Sequence, residues 1–211
     1  LEAMRESNPT YYRIYAEGEF ASLDKLIYQN WIRQEFDWRT VPGVLCCGLD
    51  FGYTNDASAL ISSKIDEASK TIWIWLEVYK TGLFNDEIAN IIKYHGLQKE
   101  IWIGDSAEAK SIDELRLKYG IARIRPATKG QGSVNAGIAL LQSYKLIVHP
   151  SCENTIMELQ NYAWKKDKQT GEYINEPIDK YNHAMDALRY SLQVLDNQQR
   201  LTSMPKKLLG L

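Results

Sequence analysis

Short apolar segments alternate with polar connections along most of the chain, and their spacing predicts the elements of the fold. Three strands are predicted in succession, at residues 44–49, 57–64 and 71–79. In the third strand, Ile72, Ile74, Leu76 and Val78 fall on one face, because side chains alternate along a strand. A polar segment at residues 65–70 connects the second and third strands as a hairpin.

Helical and strand patterns alternate in the remainder of the chain. Helices are predicted at about residues 85–96, 108–119, 133–141, 151–159 and 180–195, and short strands at 101–104, 121–124 and 146–148. Asn85 is expected to cap the first of these helices. Trp164 to Tyr173 is typical of an exposed hairpin around the Thr170-Gly171 turn. Together the patterns predict an α/β fold with a mixed sheet flanked by helices.

Both ends of the chain are predicted to lie outside this sheet. Residues 1–40 show no clean apolar period and are expected to be a lead-in, and Pro42-Gly43 marks the boundary. One domain is expected over residues 41–196, followed by a flexible tail over residues 197–211. The chain begins at Leu1 in a polar stretch, which suggests a fragment of a longer protein.

Composition narrows the possible classes of protein. With 211 residues, 45% of them hydrophobic, the chain can bury the core of one sizeable α/β domain. A net charge of -2 argues against a strongly basic nucleic-acid binder, so nucleic acid would have to be bound through a local patch or metal ions. The three cysteines form no CxxC spacing and indicate a reducing compartment. No apolar run approaches the roughly 20 residues of a membrane span.

Carboxylates follow two of the predicted buried strands. Asp50 ends the first strand, and Asp105 ends the strand at residues 101–104. If these strands are adjacent and parallel, both side chains emerge at one edge of the sheet, where open α/β sheets bind ligands. His183 and Asp186 are three residues apart and therefore share one face of the last helix.

Converging carboxylates repel one another unless cations neutralise them. Their oxygen ligands suit Mg²⁺ or Mn²⁺, and two such ions about 3.5–4 Å apart support in-line phosphodiester hydrolysis. One ion would lower the pKa of the attacking water, and the other would stabilise the leaving 3′ oxygen. Each Asp alone is more often an ordinary turn or cap residue, but their joint placement favours a metal centre. His183 alone would more often be a packed histidine; beside Asp186 it could orient a water or contact phosphate.

Three motifs resemble the nuclease domain of tailed-phage terminase large subunits. They are the strand followed by Asp50-x-Gly52, the strand followed by Asp105, and the run Asn182-His183-Ala184-Met185-Asp186-Ala187-Leu188-Arg189-Tyr190. The resemblance covers residues 41–196 and implies an RNase H-like fold of the retroviral-integrase and RuvC type. The lead-in from Asn8 to Phe20 resembles the end of the ATPase domain of that family.

The resemblance implies a metal-dependent endonuclease that cuts concatemeric viral DNA during headful packaging. Asp50, Asp105 and Asp186 would hold two divalent cations, with Asp50 bridging them and His183 close by. The implied partners are double-stranded DNA, the small terminase subunit, the portal protein and an N-terminal ATPase domain. The implied location is the host-cell cytoplasm, with transient docking at the procapsid portal. This sequence contains no Gly-x-x-x-x-Gly-Lys-Ser/Thr loop, so the motor half is expected to lie outside it.

Candidate DNA contacts form two groups of basic residues. They are Lys165, Lys166 and Lys168 on the predicted hairpin, with Trp164 and Tyr173, and Arg123, Arg125 and Lys129. A solvated face explains either group at least as well. Contacts of this kind would be made to phosphates, so cutting should be sequence-independent and sensitive to salt.

Three other functions fit parts of the pattern. An actin-like ATPase also begins with a strand and Asp-x-Gly, but it needs a second phosphate turn and a Gly-rich adenosine site, and neither is visible. A Holliday-junction resolvase shares the fold and metals and would be expected to dimerise through a more basic face. A non-catalytic docking module on the same scaffold would fail to bind Mn²⁺.

Overall fold

A seven-stranded mixed sheet forms the centre of the computed structural model, which describes residues 25–52 and 55–195. Its strands are β1 (Trp31–Arg33), β2 (Val44–Asp50), β3 (Ala57–Asp66), β4 (Thr71–Thr81), β5 (Trp102–Gly104), β6 (Ile124–Pro126) and β7 (Lys145–Val148). They stand in the order β1-β7-β4-β3-β2-β5-β6. The β2–β3 and β3–β4 pairs are antiparallel, and all other neighbours are parallel.

Helices cover both faces of the sheet, and a separate hairpin precedes the last helix. The helices are α1 (Asn85–Tyr94), α2 (Ala109–Leu117), α3 (Ser133–Gln142), α4 (Glu153–Asn161) and α5 (His183–Ser191), with a 3₁₀ turn at Ser106–Glu108; the hairpin strands are β8 (Trp164–Lys166) and β9 (Tyr173–Pro177). The predicted α/β fold with a mixed sheet flanked by helices is confirmed. Within the described ranges no helix is long and apolar enough to cross a membrane.

Two hydrophobic clusters form the core, one on each face of the sheet. One combines residues of α3, α4 and α5 with Ile61 and Ile72 of the central strands. The other combines residues of α1 and α2 with Leu49 and Leu60. Because successive side chains of a strand point to opposite faces, β2 and β3 contribute to both clusters. This double coverage explains why β2 has no polar alternation from Val44 to Leu49.

The sheet extends beyond its predicted N-terminal boundary at residue 41. Trp31–Arg33 pairs with β7, and Ile27, Tyr28 and Trp31 are buried, which corrects the expectation that residues before 41 lie outside the core. The partner strand lies more than a hundred residues away in sequence, so no local pattern indicates this pairing. The predicted tail at residues 197–211 and the start of the lead-in, at residues 1–24, lie outside the described residues.

The structure corrects two predicted boundaries, the start of α1 and the start of β6. Phe84, not Asn85, occupies the cap position of α1, and its N–H donates to the Glu87 carboxylate at 3.0 Å. The Asn85 side chain donates instead to Glu114 at 2.8 Å. The strand predicted at residues 121–124 begins only at residue 124, because the Ile121 N–H donates to a carbonyl of α2 and ends that helix.

Candidate metal centre

Two strand ends bring the first pair of carboxylates to one edge of the sheet. Asp50 is the last residue of β2, and Asp105 directly follows β5. The two strands are adjacent and parallel, as expected, with Leu49 opposite Gly104. The Asp105 N–H donates to the Leu49 carbonyl at 3.0 Å, which fixes the two acidic residues side by side.

Helix α5 crosses β2 at very short range, and this close approach brings its first turn to the same edge. A Cβ atom on Gly48 would stand 1.8 Å from the Ala187 carbonyl oxygen, so only glycine allows the contact. His183 Nδ1 lies 3.0 Å from Asp50 Oδ2. Asp186 is one turn further along the same helix face. His183 thus contacts Asp50, and the charges of Asp186 and Asp105 both act on Asp50, so the three acidic residues and the histidine singled out in the sequence lie at one edge of the sheet.

Lys129 joins the site through Asp105. Its Nζ lies 2.5 Å from Asp105 Oδ1 and 5.3 Å from the centre of the Tyr190 ring. The Tyr190 hydroxyl donates to the other carboxylate oxygen at 3.4 Å, and the Ala107 N–H donates to Oδ1 at 2.8 Å. Lys129, predicted as a DNA contact, is thus a direct neighbour of an acidic site residue.

Arg189 plays the corresponding part for Asp186. The guanidinium is 9% exposed and donates to Asp186 Oδ1 at 2.5 Å. Gly137 of α3 makes room for it, because a Cβ atom there would lie 2.4 Å from the Arg189 side chain. The two residues are three positions apart, so the sequence places them on one face of the helix. No role was assigned to Arg189 from the sequence.

Burial sets the electrostatics of the acidic residues. Asp50 is only 7% exposed, and burial raises its pKa from 3.8 to about 6. The hydrogen bond from His183 lowers that pKa, while the charges of Asp186 and Asp105 raise it. Burial also raises the pKa of Asp186, against the pull of Arg189. The hydrogen bond to Asp50 raises the pKa of His183.

The donor chemistry of the site fits a hard divalent cation. All three acidic side chains offer oxygen ligands, which suit Mg²⁺ or Mn²⁺. Each carboxylate here is directed at its own basic partner, and among residues 25–52 and 55–195 no three His, Cys, Asp or Glu side chains form a ready-made ligand group. The raised pKa of the buried Asp50 nevertheless means that a nearby cation would relieve an electrostatic cost.

Glu158 is a buried residue of the site that sequence reasoning missed. Its side chain is fully buried in α4. Its Oε1 accepts hydrogen bonds from the His183 N–H at 3.1 Å and the Tyr79 hydroxyl at 3.0 Å, and its Oε2 accepts one from the Met185 N–H at 3.0 Å. Burial raises its pKa to about 7, while the hydrogen bonds from Met185 and Tyr79 lower it. Nothing in the local pattern of α4 indicates such a role.

The hairpin lysines lie apart from this cluster. Lys165 pairs with Glu176 at 2.5 Å and with Asp179 at 3.2 Å. Lys166 stands over the Tyr173 ring at 6.0 Å, and Lys168 is exposed in the turn between the two strands. These contacts are made within the hairpin and the segment that follows it, so the acidic edge and the hairpin are separate charged regions.

Known proteins similar to this chain are phage terminases. The family described as "Terminase RNAseH like domain" matches residues 50–194. The large terminase subunit of Bacillus phage SPP1 is 33% identical over 69% of this chain and 35% of its own length. The PBSX phage terminase large subunit of Bacillus subtilis is 27% identical over 91% of this chain and 45% of its own length. The chain thus spans between about a third and a half of these two relatives.

A solved structure of a terminase nuclease domain matches this chain over nearly the whole length of that domain. The crystal structure of the g2p (large terminase) nuclease domain of bacteriophage SPP1 with bound Mn superposes with a TM-score of 0.75 and 29% identity. The match covers 80% of this chain and 98% of that domain. The mixed sheet flanked by helices is therefore the RNase H-like fold of terminase nuclease domains.

Proposed function

Because this chain belongs to the terminase RNase H-like domain family, we propose that it is the nuclease domain of a phage large terminase and cuts concatemeric viral DNA during headful packaging. The observation that carries this proposal is the meeting of Asp50, Asp105, Asp186 and His183 at one edge of the sheet. The likeness to a nuclease domain solved with bound Mn supports it.

The acidic residues would form the metal site of this nuclease. Asp50, Asp105 and Asp186 are the proposed ligands of two divalent cations, Mg²⁺ or Mn²⁺. When bound, these ions would supply Lewis acidity to the attacking water and neutralise the leaving 3′ oxygen. Asp50 orients His183 through Nδ1, which leaves Nε2 free to hold a water or a phosphate oxygen.

The basic residues of the proposed nuclease divide into two roles. Lys129, beside Asp105, would contact the phosphate nearest the reaction. Lys165, Lys166 and Lys168 would follow the DNA backbone further away, without reading its sequence. By similarity with whole large terminases, an ATPase domain, the small subunit and the portal are the proposed protein partners, at the procapsid in the host-cell cytoplasm.

Cleavage of supercoiled plasmid tests the proposal. We expect the 211-residue chain to nick and linearise plasmid with Mn²⁺ or Mg²⁺ and to be inactive in EDTA. Asp50→Ala, Asp105→Ala and Asp186→Ala should each abolish cleavage while circular dichroism shows an intact fold. Asp66→Ala is the matched control, because it ends β3 at the end of the sheet opposite Asp50, and it should cut normally. Full cleavage by any of the three site variants would overturn the assignment.

A further inference from the structure

The helix that carries His183 and Asp186 begins against a buried carboxylate from another helix. The first N–H groups of a helix have no partner within it and must find acceptors elsewhere. In α5, the N–H groups of His183 and Met185 both donate to Glu158, one to each oxygen. A negative charge at this end of a helix is also favoured by the helix dipole.

Glu158 also accepts a hydrogen bond from Tyr79, whose ring packs against the ring of His183. The Tyr79 hydroxyl donates to Glu158 Oε1 at 3.0 Å. The Tyr79 ring meets the His183 ring edge to face, with centroids 6.1 Å apart and an angle of 70° between their planes. Glu158 therefore restrains His183 twice, through its backbone N–H and through the ring that contacts its imidazole.

We propose that Glu158, assisted by Tyr79, is a positioning residue that fixes the orientation and tautomer of His183 on Asp50. With Asp50 ionised, the hydrogen bond at 3.0 Å selects the tautomer that carries its proton on Nδ1 and donates it to the carboxylate. Rotation of α5 or of the His183 ring would break that geometry. The consequence for cleavage rests on the proposed nuclease function, whereas the consequence for His183 itself does not.

Glu77 provides a matched control within the same chain. This residue of β4 accepts hydrogen bonds at the start of α4, from the Asn154 N–H at 3.0 Å, the Asn154 side chain at 2.8 Å and the Thr155 N–H at 2.5 Å. Glu77 and Glu158 thus perform the same capping chemistry on successive helices, but only Glu158 contacts the helix of the site. A merely structural role predicts equal consequences for both.

The first readout is the His183 tautomer, measured by ¹H–¹⁵N correlation of the imidazole nitrogens in the metal-free protein. The chain has three histidines, so assignment through His183→Gln is direct. In Glu158→Gln, the amide nitrogen cannot accept a hydrogen bond, so one of the two N–H groups loses its acceptor. We expect the Nδ1–H signature of His183 to give way to a mixture of tautomers. Glu77→Gln should retain the wild-type signature.

The second readout is cleavage kinetics. In Glu158→Gln, kcat should fall about 10-fold or more, with KM for plasmid within about two-fold of wild type. Glu158→Asp, which keeps the charge, should recover part of that loss, and Glu77→Gln should keep the wild-type kcat. If the wild-type protein is inactive, the nuclease proposal is overturned. The positioning role of Glu158 is then decided by the His183 tautomer alone.

Two results would overturn the positioning role. One is an unchanged His183 signature in folded Glu158→Gln; the other is the same loss of kcat in Glu77→Gln. If Glu158→Gln does not fold, Tyr79→Phe decides, because it removes one hydrogen bond to Glu158 and keeps the ring. A shifted His183 tautomer in Tyr79→Phe supports the proposal, and an unshifted one refutes it.

Discussion

The acidic edge of the sheet and the β8–β9 hairpin contain the same kinds of charged groups in opposite surroundings. At the acidic edge, Asp50 is 7% exposed and its pKa is raised to about 6. In the hairpin, Lys165 forms ion pairs with Glu176 and Asp179, whose side chains are 58% and 91% exposed. Water screens the second set of charges and not the first.

This contrast indicates where a change of charge should matter. A buried carboxylate is costly without a cation, so a divalent cation bound at the acidic edge would offset a cost that the metal-free protein bears. Exposed ion pairs contribute little to folding. We therefore expect variants at the acidic edge to alter both stability and cleavage, and variants at the hairpin to alter DNA contact alone.

Asp50→Asn should separate stability from activity most strongly. It removes a proposed metal ligand, so cleavage should fall at least ~1000-fold. It also removes a buried charge, so the metal-free protein should gain about 1–3 kcal/mol in free energy of unfolding at pH 8. Plasmid cleavage and urea unfolding measure the two effects. A variant that loses both activity and stability would contradict the view that Asp50 is electrostatically costly.

Gly48→Ala tests whether the close approach of α5 creates the acidic edge. The added Cβ would meet the Ala187 carbonyl oxygen at 1.8 Å, so α5 must shift away from β2. We expect a loss of at least about 3 kcal/mol in free energy of unfolding, together with loss of cleavage. Gly130→Ala is the control, since a Cβ there meets nothing within 4 Å. Thermal unfolding measures the stability of both variants. If Gly48→Ala is as stable as Gly130→Ala, the argument is refuted.

The stability of the metal-free protein should fall as pH rises from about 4 to about 7. Burial raises the pKa of Asp50 from 3.8 to about 6 and that of Glu158 from 4.5 to about 7. A carboxyl group with a raised pKa binds its proton more tightly in the folded state, so its stabilising effect is complete below the unfolded pKa and is lost through the folded one.

Urea unfolding across that range measures the slope, and each substitution should reduce it. Asp50→Asn should remove the contribution that ends near pH 6, and Glu158→Gln the one that ends near pH 7. Saturating Mn²⁺ should flatten the profile in wild type, because a bound cation favours the ionised carboxylates. A wild-type stability that rises over this interval without metal would show that other groups dominate.

Lys129→Met should strengthen binding of Mn²⁺. Lys129 Nζ lies 2.5 Å from Asp105 Oδ1 and therefore competes with a cation for that oxygen. The lysine side chain is 41% exposed, so the gain should be modest, roughly 3–10-fold in Kd. Isothermal titration calorimetry without DNA measures it, with Lys168→Met as the control. Weaker binding in Lys129→Met would indicate that the lysine supports the ligand arrangement instead.

Charge reversal in the hairpin should have the smallest effect on folding. We expect Lys165→Glu with Lys166→Glu to change Tm by less than about 2 °C, because exposed pairs contribute little. Cleavage at low salt should fall roughly 3–10-fold through lost phosphate contacts. Lys145→Glu, at the end of the seven-stranded sheet opposite Asp50, is the control. Equal cleavage by both variants across a salt series would exclude the hairpin from the DNA surface.

The sequence alone was sufficient to place two acidic residues at strand ends and a third on a helix face shared with His183. Apolar runs that stop at Asp50 and Asp105 identify two strand ends, and the spacing of His183 and Asp186 assigns both to one helix face. Strand and helix periods depend on neighbouring residues along the chain, so these features can be read locally. The glycine at position 48 lies in the same apolar run, but its contact with Ala187 is not visible there.

Only the tertiary structure decided how those residues are held. Lys129 reaches Asp105 from a loop, Glu158 meets His183 across two helices, and β1 pairs with β7 from the far end of the chain. Each contact depends on where elements distant in sequence cross. A buried hydrogen-bonding group must find a partner, but the local pattern does not specify which distant residue provides it, because that choice is made by packing of the whole domain.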